Sequence, residues 1–405
     1  MKKYIDTAKT ITPLGLLSFL NIIVGILIIP AFINKFGLDF FTLHIFILGL
    51  VNFQGFFGLG FERLQKKDWF NIRNKPKPES LILINSFSFL FLNTLVSIFL
   101  VYIVNENFNY FLPLFITSLF LLNAISTLLK NIFEIEGKVW LISIMAFVVT
   151  QIPIFLPLAL LYILDANNID LFILYSSLIR VILSAVFIVI FFRKIKRSNA
   201  EYLSIKNIKF LNFNYENLLV FYRSSYYTFI ENIDKLIVFF FPIFLPFYVL
   251  SSFVEKTLIP ARIIASSIIS GMYGKKLDPK PFILVFLLAL IMFPLFGVYF
   301  FDYINEIIYQ SQLEFDWFFI TFFYALSIGA ILTLTLTNFV DLGVYVLNYT
   351  FLLIDLILRA CAVILGFFGF LSFENLTLFI LICQVTTIAI IFRHLFFFFS
   401  KFKHD

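Results

Sequence analysis

The chain reads as long apolar blocks separated by short polar stretches, and the blocks are about as long as a bilayer is thick. A helix needs about 20 apolar residues to cross the hydrocarbon core, and twelve such runs fit without overlap. The first six are roughly Thr12 to Asn34, Phe40 to Phe61, Leu81 to Val104, Tyr110 to Leu129, Val139 to Leu164 and Asp170 to Phe192. The second six are roughly Leu218 to Phe240, Tyr248 to Gly271, Pro281 to Phe300, Trp317 to Asn338, Leu342 to Phe368 and Asn375 to His394. Only a helix satisfies its own backbone over such a run in lipid, so the pattern predicts an all-α integral membrane protein with about twelve transmembrane helices.

The two longest loops, Glu62 to Ser80 and Arg193 to Asn217, are both basic and too short to be domains. The second divides the chain into two six-span halves, 1–205 and 206–405. Each half opens with a long span, a short hinge and another span. The hinges are Lys35-Phe36-Gly37-Leu38-Asp39-Phe40-Phe41 and Phe244-Leu245-Pro246-Phe247-Tyr248. Parallel repeats of this kind suit a transporter whose halves rock about a site between them.

Composition agrees: 61% hydrophobic and 13% charged residues, with a mean hydropathy of +1.00, exclude a soluble globular class. The 60 phenylalanines are expected mostly at lipid-facing positions, where apolar side chains are interchangeable. The net charge of +6 reports topology rather than a nucleic-acid partner. With both termini cytoplasmic, 23 of the 30 basic residues fall in inside segments and one, Lys35, falls outside. Basic residues near span ends resist translocation, so a bias this large orients the chain. The outside segments are acidic, with Asp39, Glu106, Asp165, Asp170, Asp302, Glu306, Glu314, Asp316 and Glu374.

Cys361 and Cys383 lie in apolar runs, and His44, His394 and His404 are scattered, so neither a disulfide framework nor a metal site is expected. No cleavable signal peptide is expected, because the first apolar run is too long for a signal core and lacks a small-residue cleavage pattern.

Six basic residues remain inside spans: Arg180, Arg223, Lys235, Lys256, Arg262 and Arg359. Four acids join them: Glu231, Asp234, Glu255 and Asp355. In the seventh span four charges cost about 12 kcal/mol at about 3 each, against about 6 returned by its aliphatic and phenylalanine residues. Its charged side must therefore avoid lipid. Arg223, Tyr227, Glu231 and Asp234 share one helical face, and Glu231 can pair with Lys235 at i, i+4. On the eighth span Ser251, Ser252, Glu255, Arg262, Ser266 and Ser270 share a face, with Lys256 at its margin. Ser176, Ser177, Arg180 and Ser184 share one on the sixth, and Asn348, Asp355, Arg359 and Gly366 on the eleventh. Such faces on some helices and none on others imply a polar cavity within an apolar shell. The bland alternative is that the charges fasten helices together, with Asp355 and Arg359 at i, i+4 its strongest case. Arg180, Arg223 and Arg262 have no acid at helical spacing in their own spans, and an arginine fork suits a phosphate. Ser18, Asn21 and Gly25 read as packing positions, and Pro30, Pro153, Pro157 and Pro260 are candidate kinks.

Three stretches carry a family resemblance: Ile28-Ile29-Pro30 followed by Lys35-Phe36-Gly37-Leu38-Asp39-Phe40; Glu136-Gly137-Lys138 within Ile132 to Leu141; and Glu231-Asn232-Ile233-Asp234-Lys235-Leu236. In this order and spacing the chain resembles Wzx-type flippases of the multidrug/oligosaccharidyl-lipid/polysaccharide exporter superfamily over nearly its whole length. It departs from them at Phe41-Thr42-Leu43 and Phe247-Tyr248-Val249, where that family has a Gly-Leu-Tyr-like step. The resemblance implies two facing six-helix bundles, related by a pseudo-two-fold, in a bacterial cytoplasmic (inner) membrane. It also implies a cationic cavity for an undecaprenyl-diphosphate-linked O-antigen or similar repeat unit, turned outward by alternating access. On this reading Arg180, Arg223, Arg262, Lys256, Arg359 and Lys235 face the substrate. Glu231, Asp234, Glu255 and Asp355 tune those cations or take a coupling proton or sodium ion, with no cofactor. A polysaccharide polymerase and a chain-length regulator would be partners.

Two rivals differ in class. A multidrug or cation exporter of the same fold would need cavity acids, and the first half has none inside its spans. A glycan polymerase or membrane glycosyltransferase would need a sizeable catalytic outer loop, and the largest outer segment, about Phe301 to Asp316, holds no arginine or lysine. A non-enzymatic transporter is therefore expected.

Overall fold

The computed structural model describes residues 28–51, 80–104, 111–136, 138–197, 245–262, 280–309, 317–341 and 349–401. It also describes positions 24, 61, 62, 64–66, 222, 226, 228–230, 232, 233, 237, 264 and 265. Among these residues there is no strand. The named helices are α1 (Leu38–Leu50), α2 (Ser80–Val104), α3 (Leu112–Ile135), α4 (Val139–Ile163), α5 (Ile169–Arg197) and α6 (Leu245–Thr257). They continue with α7 (Lys280–Tyr299), α8 (Phe301–Tyr309), α9 (Trp317–Asp341), α10 (Tyr349–Phe367) and α11 (Phe373–Lys401). Among the described residues five helices are long and apolar enough to span a membrane, or six if the bent pair α7 and α8 is one span. The expected spans over Leu81 to Phe192, and those starting near Pro281, Trp317 and Asn375, reappear within a few residues. Those over Thr12 to Asn34 and Leu218 to Phe240 lie largely outside the described residues.

The first hinge has a backbone cause. Residues 28–36 are helical, and Gly37 at φ +84° sends its amide back to the Ile33 carbonyl at 2.8 Å before α1 begins. That left-handed conformation is easy for glycine and ends a helix cleanly. The second hinge lies partly outside the described residues, because Phe244 is not among them. Its described part, residues 245–248, is helical and belongs to α6. A different break follows in the expected eighth span. The Leu258 amide is shared at 3.3 and 3.2 Å between the Val254 and Glu255 carbonyls, and Pro260 donates nothing to Lys256. The expected outer loop from Phe301 also differs, because its first nine residues form α8, bent 64° from α7.

The described elements fall into two compact units. One holds residues 28–37 and α2 to α5; the other holds α1, the positions from 226 onward and α6 to α11. In the first, α3 packs against α2, α4 and α5. Phe89, Ile125, Leu128, Leu129, Ile132 and Phe191 form its core. In the second, α9 packs against α6 and α11. Phenylalanine is not confined to lipid-facing positions as expected: Phe32, Phe89, Phe120, Phe172 and Phe286 are fully buried, whereas Phe87, Phe91 and Phe296 are exposed. With no water to drive helices together, flat rigid rings supply contact area and edge-to-face attraction, as between Phe32 and Phe172, 5.1 Å apart at 90°.

Pro157 shows how an interior proline is tolerated. It cannot donate to the carbonyl four residues back, that of Pro153, yet α4 stays continuous. Ser176 of α5 donates its hydroxyl to that carbonyl at 2.6 Å, so the proline's missing bond becomes a tie between helices.

Beyond the last turn of α3, Glu136 pairs with Lys138 and with Lys194 of α5, each at 2.7 Å. Nearby, Lys66 meets Glu134 at 3.1 Å, and the Asn131 amide donates to the Glu62 carbonyl at 2.9 Å and to Gln65 at 3.2 Å. Burial pushes the Glu136 carboxyl up, but hydrogen bonds and charge from Lys138 and Lys194 outweigh it and hold it below the ordinary value. The hydrogen bond to Glu136 holds Lys138 above its own. A depressed carboxylate stabilises the fold above its unfolded pKa and loses that contribution as pH falls through the folded one. A raised lysine loses its contribution as pH climbs through the folded value. The difference in melting temperature between wild type and Glu136→Gln should therefore be constant from about pH 5 to neutral pH. It should shrink below about 4.3, as read by fluorescence melting in detergent.

Candidate functional site

Among the described residues two arginines of the spans are buried, and they meet opposite surroundings. Arg180 lies mid-way along α5, a helix whose start is capped by the Asn168 carboxamide oxygen accepting from the Asp170 and Leu171 amides at 2.8 and 3.3 Å. The expected polar face exists: Ser176, Ser177, Arg180 and Ser184 are all turned inward and fully buried. The serines do not serve the arginine. Ser177 donates to the Ile173 carbonyl at 2.6 Å and Ser184 to the Arg180 carbonyl at 2.7 Å. The guanidinium instead lies over the Phe115 ring of α3, 4.2 Å from its centre, and its Nε and Nη1 have no hydrogen-bond acceptor. A desolvated cation over an aromatic face recovers about 2 kcal/mol, less than the several kcal/mol that burying the ion costs. Among the described residues Arg180 is thus a buried cation with no counter-ion.

Arg359 of α10 is the reverse case. Its Nε donates to Asp355 Oδ2 at 3.0 Å, its Nη1 to Gln384 Oε1 and its Nη2 to Thr387 Oγ1 at 3.0 Å. Asp355 Oδ2 also accepts from the Tyr226 hydroxyl at 2.7 Å, and Oδ1 from Thr387 at 3.2 Å. Gln384 of α11 donates its amide to the Ala325 carbonyl of α9 at 3.1 Å. It reaches that helix only because residue 329 is glycine, where a Cβ would collide with the Gln384 amide. The network joins four parts of one unit and occupies both charges, so Arg359 is the arginine that fastens helices.

The remaining candidates are placed as follows. Glu255, Lys256 and Arg262 are partly buried, the first two near the end of α6 and the third just past its break, in the unit that holds Asp355. Arg223, Glu231, Asp234 and Lys235 lie outside the described residues. Among the described residues no group of three or more metal-ligating side chains occurs. Sequence reasoning missed Tyr226, Gln384, Thr387 and Phe115. It chose Tyr227 for the charged face, whereas Tyr226 meets Asp355. Gln384 and Thr387, one turn apart in an apolar run, were the available signal, since a buried amide in lipid needs partners.

No protein-family profile and no curated protein sequence matches the chain. Its shape does have relatives. The Vibrio cholerae MATE transporter VcmN in its bent form superimposes with a TM-score of 0.55 at 14% identity, over 97% of each chain. An outward-facing multidrug resistance MATE family transporter of the MOP superfamily gives 0.52 at 13% identity, over 98% of this chain and 97% of that one. The chain has the fold of the MATE transporters, twelve helices in two lobes.

The two arginines should respond oppositely to removal. Asp355→Ala leaves Arg359 buried without its carboxylate and should cost about 3–5 kcal/mol in denaturant unfolding. Arg180→Leu removes a cation that has no partner, so thermal stability should hold or rise.

Proposed function

We propose that the chain is a non-enzymatic exporter working by alternating access between two bundles, residues 1–205 and 206–405, in a bacterial cytoplasmic membrane with both termini inside. The observation that carries this reading is the end-to-end likeness to MATE transporters, which spans 97% of the chain. One of those relatives is a multidrug resistance transporter, so export of drug-like compounds is the cargo reading that the comparisons favour.

A second reading, a flippase for an undecaprenyl-diphosphate-linked oligosaccharide, is favoured by Arg180. A buried guanidinium whose Nε and Nη1 are both unanswered repels a cationic drug and attracts a diphosphate, which its planar fork can grip in two places. Asp355 points the same way, because its carboxylate is already taken by Tyr226, Arg359 and Thr387 and offers no free charge to a cationic cargo. Arg223, Arg262, Lys256 and Lys235 would add positive charge along the route, and Arg359 would hold the structure around it. Glu231, Asp234 and Glu255 would moderate that charge or take the coupling proton or sodium ion. A polysaccharide polymerase and a chain-length regulator would then act beside it.

One experiment separates the readings. Wild type and Arg180→Leu are expressed in a strain lacking its drug exporters and in one lacking its lipid-linked oligosaccharide flippase. Drug resistance restored by both proteins supports drug export. Surface glycan restored by wild type and lost about ten-fold or more in the variant, with unchanged protein level, supports the flippase. Restoration of neither phenotype by well-expressed protein overturns both.

A further inference from the structure

A groove of about 160 Å³ lies between α2, α3 and α5, and its polar lining is one-sided. Asn93, Thr94 and Ser97 come from α2, and Thr117 and Ser118 from α3. Each of the four hydroxyls gives its hydrogen to a carbonyl of its own helix: Thr94 to Leu90 at 2.9 Å, Ser97 to Thr94 at 2.8 Å, Thr117 to Pro113 at 2.8 Å and Ser118 to Phe115 at 3.0 Å. Back-bonded hydroxyls keep only lone pairs to offer. Asn93 spends its amide in the same way, on the Phe89 carbonyl at 2.8 Å, while its Oδ1 is buried with no partner although the side chain is 1% exposed. The leftover inventory is five acceptor oxygens against one remaining N–H of Asn93. An unanswered acceptor in a low-dielectric interior is costly, so the groove calls for a hydrogen-bond donor.

The nature of the donor follows from the surroundings. An ammonium or metal cation would satisfy the oxygens, but Arg180 precedes the groove residue Val181, and its guanidinium covers Phe115, one turn from Ser118. A second positive charge there is disfavoured, and among the described residues no carboxylate lines the groove to offset it. An uncharged hydroxyl meets no such penalty. Asn93 is mid-way along the 25-residue α2, so a hydroxyl that reaches it must be carried on an apolar body. The groove walls suit one, since Leu90 and Leu121 line it and the lining residues Leu114 and Val181 are exposed.

We propose that this groove binds a neutral, hydroxyl-bearing amphiphile drawn from the bilayer, whose hydroxyl donates to Asn93 Oδ1 while its chain lies along α2 and α5. The site stands independently of the cargo reading, because it uses none of the candidate cargo residues as ligands. The full chain, reconstituted in phosphatidylcholine vesicles, is irradiated with a long-chain alcohol carrying a diazirine next to its hydroxyl. A parallel sample uses the methyl ether of the same compound, which cannot donate. Saturable labelling of peptides covering residues 90–97 and 114–124 is expected from the alcohol, about ten-fold above the ether, with a similar loss in Asn93→Leu. Thr117→Val, at a half-buried position, tests the same acceptor set if Asn93→Leu does not elute as a folded protein, and should weaken labelling by about three-fold or more. Equal labelling by alcohol and ether, labelling confined to other peptides, or wild-type labelling in folded variants would overturn the proposal and leave water or an acyl chain as the occupant.

Discussion

A charge in the middle of a membrane helix has to be answered, because hydrocarbon offers neither water nor counter-ions. Among the described residues two arginines are fully buried, and the chain answers them differently. Arg359 meets a carboxylate, an amide and a hydroxyl drawn from two helices, with a tyrosine closing the far side of the carboxylate. Arg180 meets an aromatic ring and leaves its Nε and Nη1 without an acceptor. The first arrangement spends the charge on holding helices together. The second leaves the charge unspent among the described residues.

The same demand for satisfaction runs through the backbone. Pro157 strips a partner from the Pro153 carbonyl, and Ser176 supplies a replacement from the next helix. Gly329 clears the space that lets Gln384 cap two carbonyls of α9. In each case a residue that weakens a helix taken alone becomes a point of attachment between helices. Lipid supplies no hydrophobic force for association, so such polar ties and close-packed rings must hold the spans in place. At the loop ends the rule relaxes: Glu136, Lys138 and Lys194 pair where water is near, and their stability is open to pH.

The apolar blocks were legible because a span is defined by its own length and composition. So was the inward face of α5, since Ser176, Ser177, Arg180 and Ser184 follow helical spacing and polar groups avoid lipid. The Asp355 and Arg359 pair was also readable at i, i+4. Partners from other helices were not, because nothing in local spacing brings Tyr226, Gln384 or Thr387 to Asp355 and Arg359, or Phe115 to Arg180. Pro246 looks like a breaker in one dimension, yet the described residues 245–248 around it are helical.

By itself the sequence determined that the chain lives in a membrane, where most of its helices run and which side chains must turn away from lipid. Those are properties of single segments set against their solvent. Tertiary structure alone decided which buried charge is spent and which is free, because that depends on donors and acceptors brought together from distant segments. The free energy of an ion in a dry interior is set by its neighbours rather than by its place in the chain.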